Sequence, residues 1–262
     1  MKVVLFCGGE GTRLREFSES IPKPMVPVGF RPIIWHVMKY YAYYGHKDFI
    51  LALGYKADVI KNFFLNYDET VSNDFVMSHG GKKIELANSD IDEWTITFVD
   101  TGARSNIGQR LARLRPHLEG EEMFMANYSD GVTDLYLPDY VEEFQRRDKV
   151  ASFLAIPPPG SYHTAVVDEA GRVTGTKPIS ESGTWINGGY FVFKQEIFDY
   201  MQPGEELVEK PFLRLIEADE LVAHRFRGFW APMDTFKDKQ RLDELHASGA
   251  APWQVWREQN GV

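Results

Sequence analysis

The chain has 262 residues, 44% of them hydrophobic and 14% aromatic, enough to bury the core of one large α/β domain. Its net charge of −9 argues against a nucleic-acid backbone as a partner, and its one cysteine, Cys7, excludes an internal disulfide and agrees with a reducing compartment. No apolar run approaches membrane-spanning length and none reads as a leader, so a cytoplasmic protein with no membrane partner is expected.

Val3 to Phe6 is a short apolar run that reads as a buried strand. It leads into Cys7-Gly8-Gly9-Glu10-Gly11-Thr12-Arg13-Leu14. Three glycines in four positions let the backbone turn tightly and present N–H groups to phosphate oxygens. Arg13 and Lys23 add two cations, one a planar fork and one a mobile point charge. Pro22 and Pro24 restrict the backbone around Lys23, as an ammonium that must be aimed requires. The loop is neither a Walker A motif nor a G-x-G-x-x-G fingerprint, because no Lys follows the glycines directly and Leu14 stands at the third small position.

Helical spacing of Ile34, Trp35, Met38 and Tyr41 predicts a helix over Arg31 to Tyr44, stopped by Gly45. The tyrosines at 40, 41, 43 and 44 read as core packing before a stacking platform. Phe49 to Leu53 is a second strand, and Asp58 caps a helix through about Leu65. Between about 67 and 93 the pattern changes to an excursion with a hairpin around His79-Gly80-Gly81. Ile96 to Val99 returns to the sheet, and Ile107 to Leu114 is a helix on whose surface Arg113, and Arg115 just beyond it, read as solvated charges. Met123 to Asn127 is a strand ending in Tyr128-Ser129-Asp130-Gly131. Ligands of parallel sheets bind beyond the carboxyl ends of strands, so Asp130 is a candidate metal ligand, with a turn-supporting role as the alternative.

Further on, Pro138 to Arg146 is a helix, Val150 to Ile156 a strand, and Ala165 to Val173 a hairpin. Lys177 and Asn187 read as loop residues or ligand contacts. Tyr190 to Phe193 and Leu221 to Phe226 are strands flanking a helix over Pro211 to Glu217. Asp234 precedes a helix from about Phe236 to His246 and is either its cap or a second metal ligand. The tail from Pro252 to Trp256 reads as a packing or subunit-contact arm. The alternation predicts an α/β fold: one domain over 1–262, with a Rossmann-like, mostly parallel sheet flanked by helices and a C-terminal helical segment from about 236.

The runs GGEGTRL and PKPMVPVG, with WTITFVDTG, NYSDGVTDL, INGGYFVF and GFWAPMDT, resemble the signature of the sugar-1-phosphate nucleotidyltransferases. The chain is most similar to their branch of glucose-1-phosphate cytidylyltransferases, from Met1 to about Trp256. That resemblance implies a nucleoside triphosphate, CTP first, and a sugar-1-phosphate as substrates, Mg²⁺ as cofactor, and a homo-oligomer. Gly8, Gly9, Gly11 and Thr12 would then hold the nucleotide, and Arg110 would meet its base. Arg13 and Lys23 would be catalytic, and Asp130 and Asp234 would hold the metal. Tyr128, Thr176, Lys177 and Asn187 would face the sugar phosphate. Two departures fall on the sugar side: Thr176 stands where the family usually has Glu, and Tyr162-His163-Thr164-Ala165 where it usually has a Gly. A non-glucose sugar or a cyclitol phosphate therefore stays open as acceptor, as does a non-catalytic regulator. A Rossmann oxidoreductase is disfavoured by Leu53-Gly54, where an acidic residue would end the second strand.

Overall fold

A computed structural model of the chain describes residues 1–9, 21–160 and 162–260, the last three of these by backbone only. The chain begins with the strand Val3–Phe6 (β1), then the short pair Pro27–Val28 (β2) and Arg31–Pro32 (β3), and the helix Ile33–Tyr43 (α1). Asp48–Leu53 (β4) and the helix Ala57–Leu65 (α2) precede an outlying hairpin, Phe75–Ser78 (β5) with Lys83–Leu86 (β6). Thr95–Asp100 (β7), the helix Ile107–Leu114 (α3), Met123–Asn127 (β8), Gly131–Thr133 (β9) and the helix Leu137–Arg147 (α4) follow. Ala151–Ile156 (β10), a second hairpin of His163–Val167 (β11) and Val173–Pro178 (β12), and Ile186–Lys194 (β13) come next. The helix Lys210–Glu217 (α5), Leu221–Arg225 (β14), Trp230–Pro232 (β15) and the helix Phe236–Ala247 (α6) complete the fold.

Seven strands form the central sheet in the order β14-β10-β13-β8-β1-β4-β7. β1 lies parallel to both β4 and β8, while β13 runs antiparallel between β8 and β10. The chain moves from β1 outward to β4 and β7, then returns to place β8 on the other side of β1. That reversal opens a crevice at the carboxyl ends of β1 and β8, where open α/β sheets bind ligands. Strands buried on both faces explain the near-continuous apolar runs: every residue of β1 and of β8 is buried. One core layer packs around α1 and α4, with Ile33, Val37, Tyr40, Tyr140 and Phe144; the other holds Phe6, Phe124, Phe191 and Phe193 beneath α3 and α5.

The tyrosines at 40 and 41 are core residues. Tyr40 donates to Leu135 O at 2.7 Å, and Tyr41 stacks on Tyr190 at 6.0 Å. The helix α1 starts at Ile33, two residues later than expected, because Arg31 is drawn into a buried polar network instead. Its guanidinium donates to Asp68 O at 2.7 Å and lies 4.2 Å over the Tyr67 ring. Asp90 accepts from Tyr67 and Lys39, at 2.9 and 3.2 Å. The network ties the 67–93 excursion to α1. Asp58 does not cap α2: the cap position is Lys56, in the left-handed region at φ 50, and Asp58 sits in the first helical turn, where a carboxylate favours the helix dipole.

The C-terminal segment is a packing arm. Trp253 is buried, stacks on Phe229 at 5.8 Å and donates through Nε1 to His36 Nδ1 at 3.3 Å. His36 Nε2 lies 3.0 Å from Val28 O. Burial holds the His36 imidazole down at about 4, below its ordinary value near 6.5. The unfolded chain therefore binds a proton near pH 6.5 that the folded chain refuses until about pH 4. The stabilisation is complete above pH 6.5 and is lost as pH falls toward 4, by about 3 kcal/mol. Thermal melts between pH 8 and 4 should show this loss, and His36→Gln should flatten the slope in that window.

Candidate active site

Asp130 and Asp234 are 104 positions apart in sequence, and a small ribbon brings them together. β9 pairs antiparallel with β15, Gly131 opposite Pro232, and Met233 N donates to Asp130 O at 2.8 Å. The two aspartates therefore leave the same end of one ribbon. Their carboxylates meet at Lys23, whose Nζ lies 2.7 Å from Asp130 Oδ2 and 2.5 Å from Asp234 Oδ1. Lys23 opens a 3-10 turn, Lys23–Met25, between Pro22 in extended geometry and the buried Pro24. The prolines fix the stem from which the ammonium is aimed. Burial works against the Lys23 charge, but Asp130 and Asp234 outweigh it and hold the ammonium above the ordinary lysine value.

The sequence left Asp234 open between cap and ligand, and the local hydrogen bonds divide those roles. Thr235 is the N-cap of α6: its hydroxyl accepts from Asp238 N at 3.2 Å, and Asp238 accepts from Thr235 N at 2.8 Å. With the cap supplied by Thr235, the Asp234 carboxylate faces Lys23. Asp130 is aimed by the residue before it. Ser129 is fully buried with φ +65, a costly backbone for a non-glycine residue. It is held there by its N–H to Asn127 Oδ1 at 2.7 Å and its hydroxyl to Phe6 O at 2.8 Å. Asn127 and Ser129 are positioning residues that sequence reasoning passed over; the cluster Asn-Tyr-Ser-Asp-Gly was the available signal.

The cleft beside this trio has a volume of about 190 Å³ and is lined by Phe6, Gly9, Lys23, Ile107, Tyr128 and Asp130, among others. Gly9 is exposed at its mouth, and no atom of the described residues lies within 4 Å of where a Cβ would stand. Gly8 is buried, and a Cβ there would lie 2.0 Å from Arg110 Nη1. Gly11, Thr12 and Arg13 lie outside the described residues.

Arg110 does not line that cleft. It is 2% exposed, and its guanidinium is committed to backbone and hydroxyl oxygens. Nη1 donates to Leu53 O, Thr101 Oγ1 and Gly102 O at 3.1, 2.7 and 3.0 Å, and Nη2 to Gly8 O at 3.0 Å. It clips together the carboxyl ends of β1, β4 and β7. Arg113 and Arg115 are exposed, as their positions suggested, though Arg113 also donates to Thr101 O and Arg115 lies 5.4 Å from the Phe198 ring centroid. Cys7 is a buried core thiol, pushed up to about 12 by burial.

On the sugar side, Asn187 lies in β13 and Lys177 and Thr176 in β12, not in loops. Asn187 Nδ2 donates to Tyr128 OH at 3.3 Å. Gly189, at φ +76, leaves room for the Tyr128 ring, which a Cβ would approach to 2.5 Å. Thr176 and Lys177 are exposed on the β11–β12 hairpin, and among the described residues neither side chain bonds to the Lys23 trio.

The Lys23 ammonium touches both carboxylates at once. Among the described residues no cluster of three His, Cys, Asp or Glu side chains could cage a metal. Two carboxylates in reach of one cation, with remaining positions left to ligand oxygens, fit Mg²⁺, which uses one or two carboxylates plus phosphates.

Residues 2–238 match the family described as nucleotidyl transferase. The chain belongs to that family. It is 39% identical over 259 residues to the glucose-1-phosphate cytidylyltransferase of Salmonella typhi, covering 98% of this chain and all of the relative. It is 34% identical over 258 residues to a Bacillus subtilis protein named "Probable glucose-1-phosphate cytidylyltransferase", with 98% and 100% covered. Among solved structures, HddC from Yersinia pseudotuberculosis superposes with a TM-score of 0.67 at 20% identity, over 94% of this chain and 99% of that one, a likeness of fold. The nucleotidyltransferase thus carries the expected mixed, mostly parallel sheet, and no described helix is long and apolar enough to cross a membrane.

Proposed function

We propose that the enzyme transfers a nucleotidyl group, from CTP first, to a sugar-1-phosphate or a related polyol phosphate, releasing pyrophosphate. The observation that carries this reading is the Lys23 ammonium clasped by Asp130 and Asp234 at the crevice between β1 and β8. An acceptor phosphate oxygen attacks the α-phosphorus in line, the bond to the β-phosphate oxygen breaks, and pyrophosphate leaves. The attacking oxygen is already anionic at neutral pH, so the site needs placement and charge neutralisation more than a base.

In this reading, Gly8 and Gly9, with Gly11 and Thr12, present the nucleotide-binding backbone, and Arg13 covers the leaving pyrophosphate. Arg110 holds Gly8 O and so sets the shape of that backbone. Lys23 neutralises charge at the α-phosphate once the triphosphate draws it from the carboxylates. Asp130 and Asp234 would then hold Mg²⁺, which when bound would supply charge neutralisation between the two reacting phosphates. Tyr128 and Asn187 form one wall for the sugar, and Lys177 with Thr176 the hairpin that faces it.

The test is pyrophosphate release with Mg²⁺ across CTP, UTP, dTTP, ATP and GTP, against sugar and cyclitol phosphates. CTP-dependent release, abolished by EDTA and by Asp234→Asn, is the expected result. Nucleotide binding with no release from any acceptor would favour the regulator. The reading includes a cytoplasmic homo-oligomer. The β5–β6 hairpin leaves Val76 and Met77 63% and 64% exposed, which suits a subunit contact. Light scattering should then report a mass above the 30.1 kDa of one chain.

A further inference from the structure

Beyond Asn187 the sheet carries a second group of side chains that the reaction above does not use. Ala155 of β10 pairs with Asn187 of β13 on one side and with Arg225 of β14 on the other. Laterally paired residues project to the same face of a sheet, so Asn187 and Arg225 share a face, roughly 10 Å apart across two strand spacings. Trp185, two residues before Asn187, stands between two cations. Arg227 lies 4.9 Å and Arg225 5.6 Å from its ring centroid. A row therefore runs along the carboxyl rim of the sheet: the cleft with Lys23, Tyr128 in its wall, Asn187 bonded to Tyr128, then Trp185 and the two arginines.

Neither arginine has a carboxylate partner among the described residues, and both are exposed. That is unusual in a chain with net charge −9. A guanidinium stacked on an indole spends its face on the ring and keeps its N–H edge for an oxyanion, which it can grip with two parallel bonds. Position 176, exposed on the β11–β12 hairpin, is a neutral Thr. A carboxylate there would repel an anionic acceptor, and a threonine does not.

We infer that Arg225 and Arg227, splayed over Trp185, read a second anionic group at the far end of the acceptor, so that the preferred acceptor is a phosphate ester carrying an additional carboxylate or phosphate. This rests on the nucleotidyl-transfer reading and names its acceptor class. The first phosphate sits at the Lys23 cleft, the ring lies along Tyr128 and Asn187, and the second oxyanion meets the arginine pair. The ring and its substituent span the distance between Asn187 and β14.

The experiment measures kcat/KM by pyrophosphate release, with the donor triphosphate that the panel above selects. Three acceptors are compared: glucose 1-phosphate, glucuronic acid 1-phosphate and glucose 1,6-bisphosphate. In the unmodified enzyme at least one of the two doubly charged acceptors should exceed glucose 1-phosphate tenfold or more, mainly through KM. Which one does so distinguishes a carboxylate from a phosphate. In Arg225→Gln/Arg227→Gln the ratio should fall to near one, and Trp185→Ala, which removes the platform, should lower it as well. Circular dichroism verifies that the variants fold. A ratio of one or less in the unmodified enzyme, or a ratio that survives the double substitution, overturns the inference while leaving nucleotidyl transfer intact. No release from any acceptor overturns the nucleotidyl-transfer reading itself and the inference with it.

Discussion

Lys23→Ala lowers turnover about 10²–10³-fold, the loss typical of removing one preorganised charge-stabilising donor. The same substitution leaves the fold in place. Lys23 reaches the site from a short turn between two prolines, and its polar contacts are with Asp130 and Asp234. Removing it leaves those two carboxylates facing each other without their shared cation. Lys23→Arg does not restore the rate, because a planar fork cannot place one compact charge between two oxygens in the way an ammonium does. Single-turnover kinetics separate this effect from triphosphate binding, and a melting curve verifies folding. A rate within threefold of the parent would remove Lys23 from the chemistry.

The second large effect is on stability. Arg110→Met should cost about 3–5 kcal/mol, because four hydrogen bonds that clip three strand ends together are lost at once from a buried site. Gly8 O, Leu53 O, Gly102 O and Thr101 Oγ1 all accept from one guanidinium, while Leu53 O also keeps Thr101 N and Oγ1 as donors, and Gly8 O keeps Tyr55 N. For a chain of this size the melting temperature should fall by roughly 10 °C. Arg110→Lys should recover little, since one ammonium cannot reach carbonyls at the ends of three strands. The activity loss should exceed what the melt explains, because Gly8 at the cleft is held by Nη2. A variant that melts with the parent would show that the carbonyls find water instead.

The order of strands and helices was legible because it follows from short-range pattern. Apolar runs such as Val3 to Phe6 and Met123 to Asn127 proved to be strands buried on both faces. Glycine turns and helical spacing marked most of the boundaries between elements. Asp130 was visible as a carboxylate at the end of such a strand, and Lys23 as a cation held between prolines. Those features are local, and local chemistry writes them into neighbouring residues.

Other features depend on which distant segments meet. That Lys23 bridges Asp130 and Asp234 depends on the β9–β15 ribbon, a pairing across about a hundred residues with no signature in either segment. Whether Asp234 or Thr235 capped α6 could not be read from their order; the capping box decided it and turned Asp234 toward the cleft. Arg110 was placed against the nucleotide base by the family resemblance alone. Its true neighbours are carbonyl oxygens from three strand ends that only the parallel sheet brings together. Arg31 and Asp90 are likewise ordinary charges in sequence and a buried network in the fold, as are Trp185, Arg225 and Arg227, gathered by the register of β10 with its two neighbours. The sequence by itself determined the elements, the family signature and the residue types of the site. The tertiary structure decided which charges face one another, because hydrogen-bond partners and ion pairs depend on through-space distance, which periodicity along the chain does not encode.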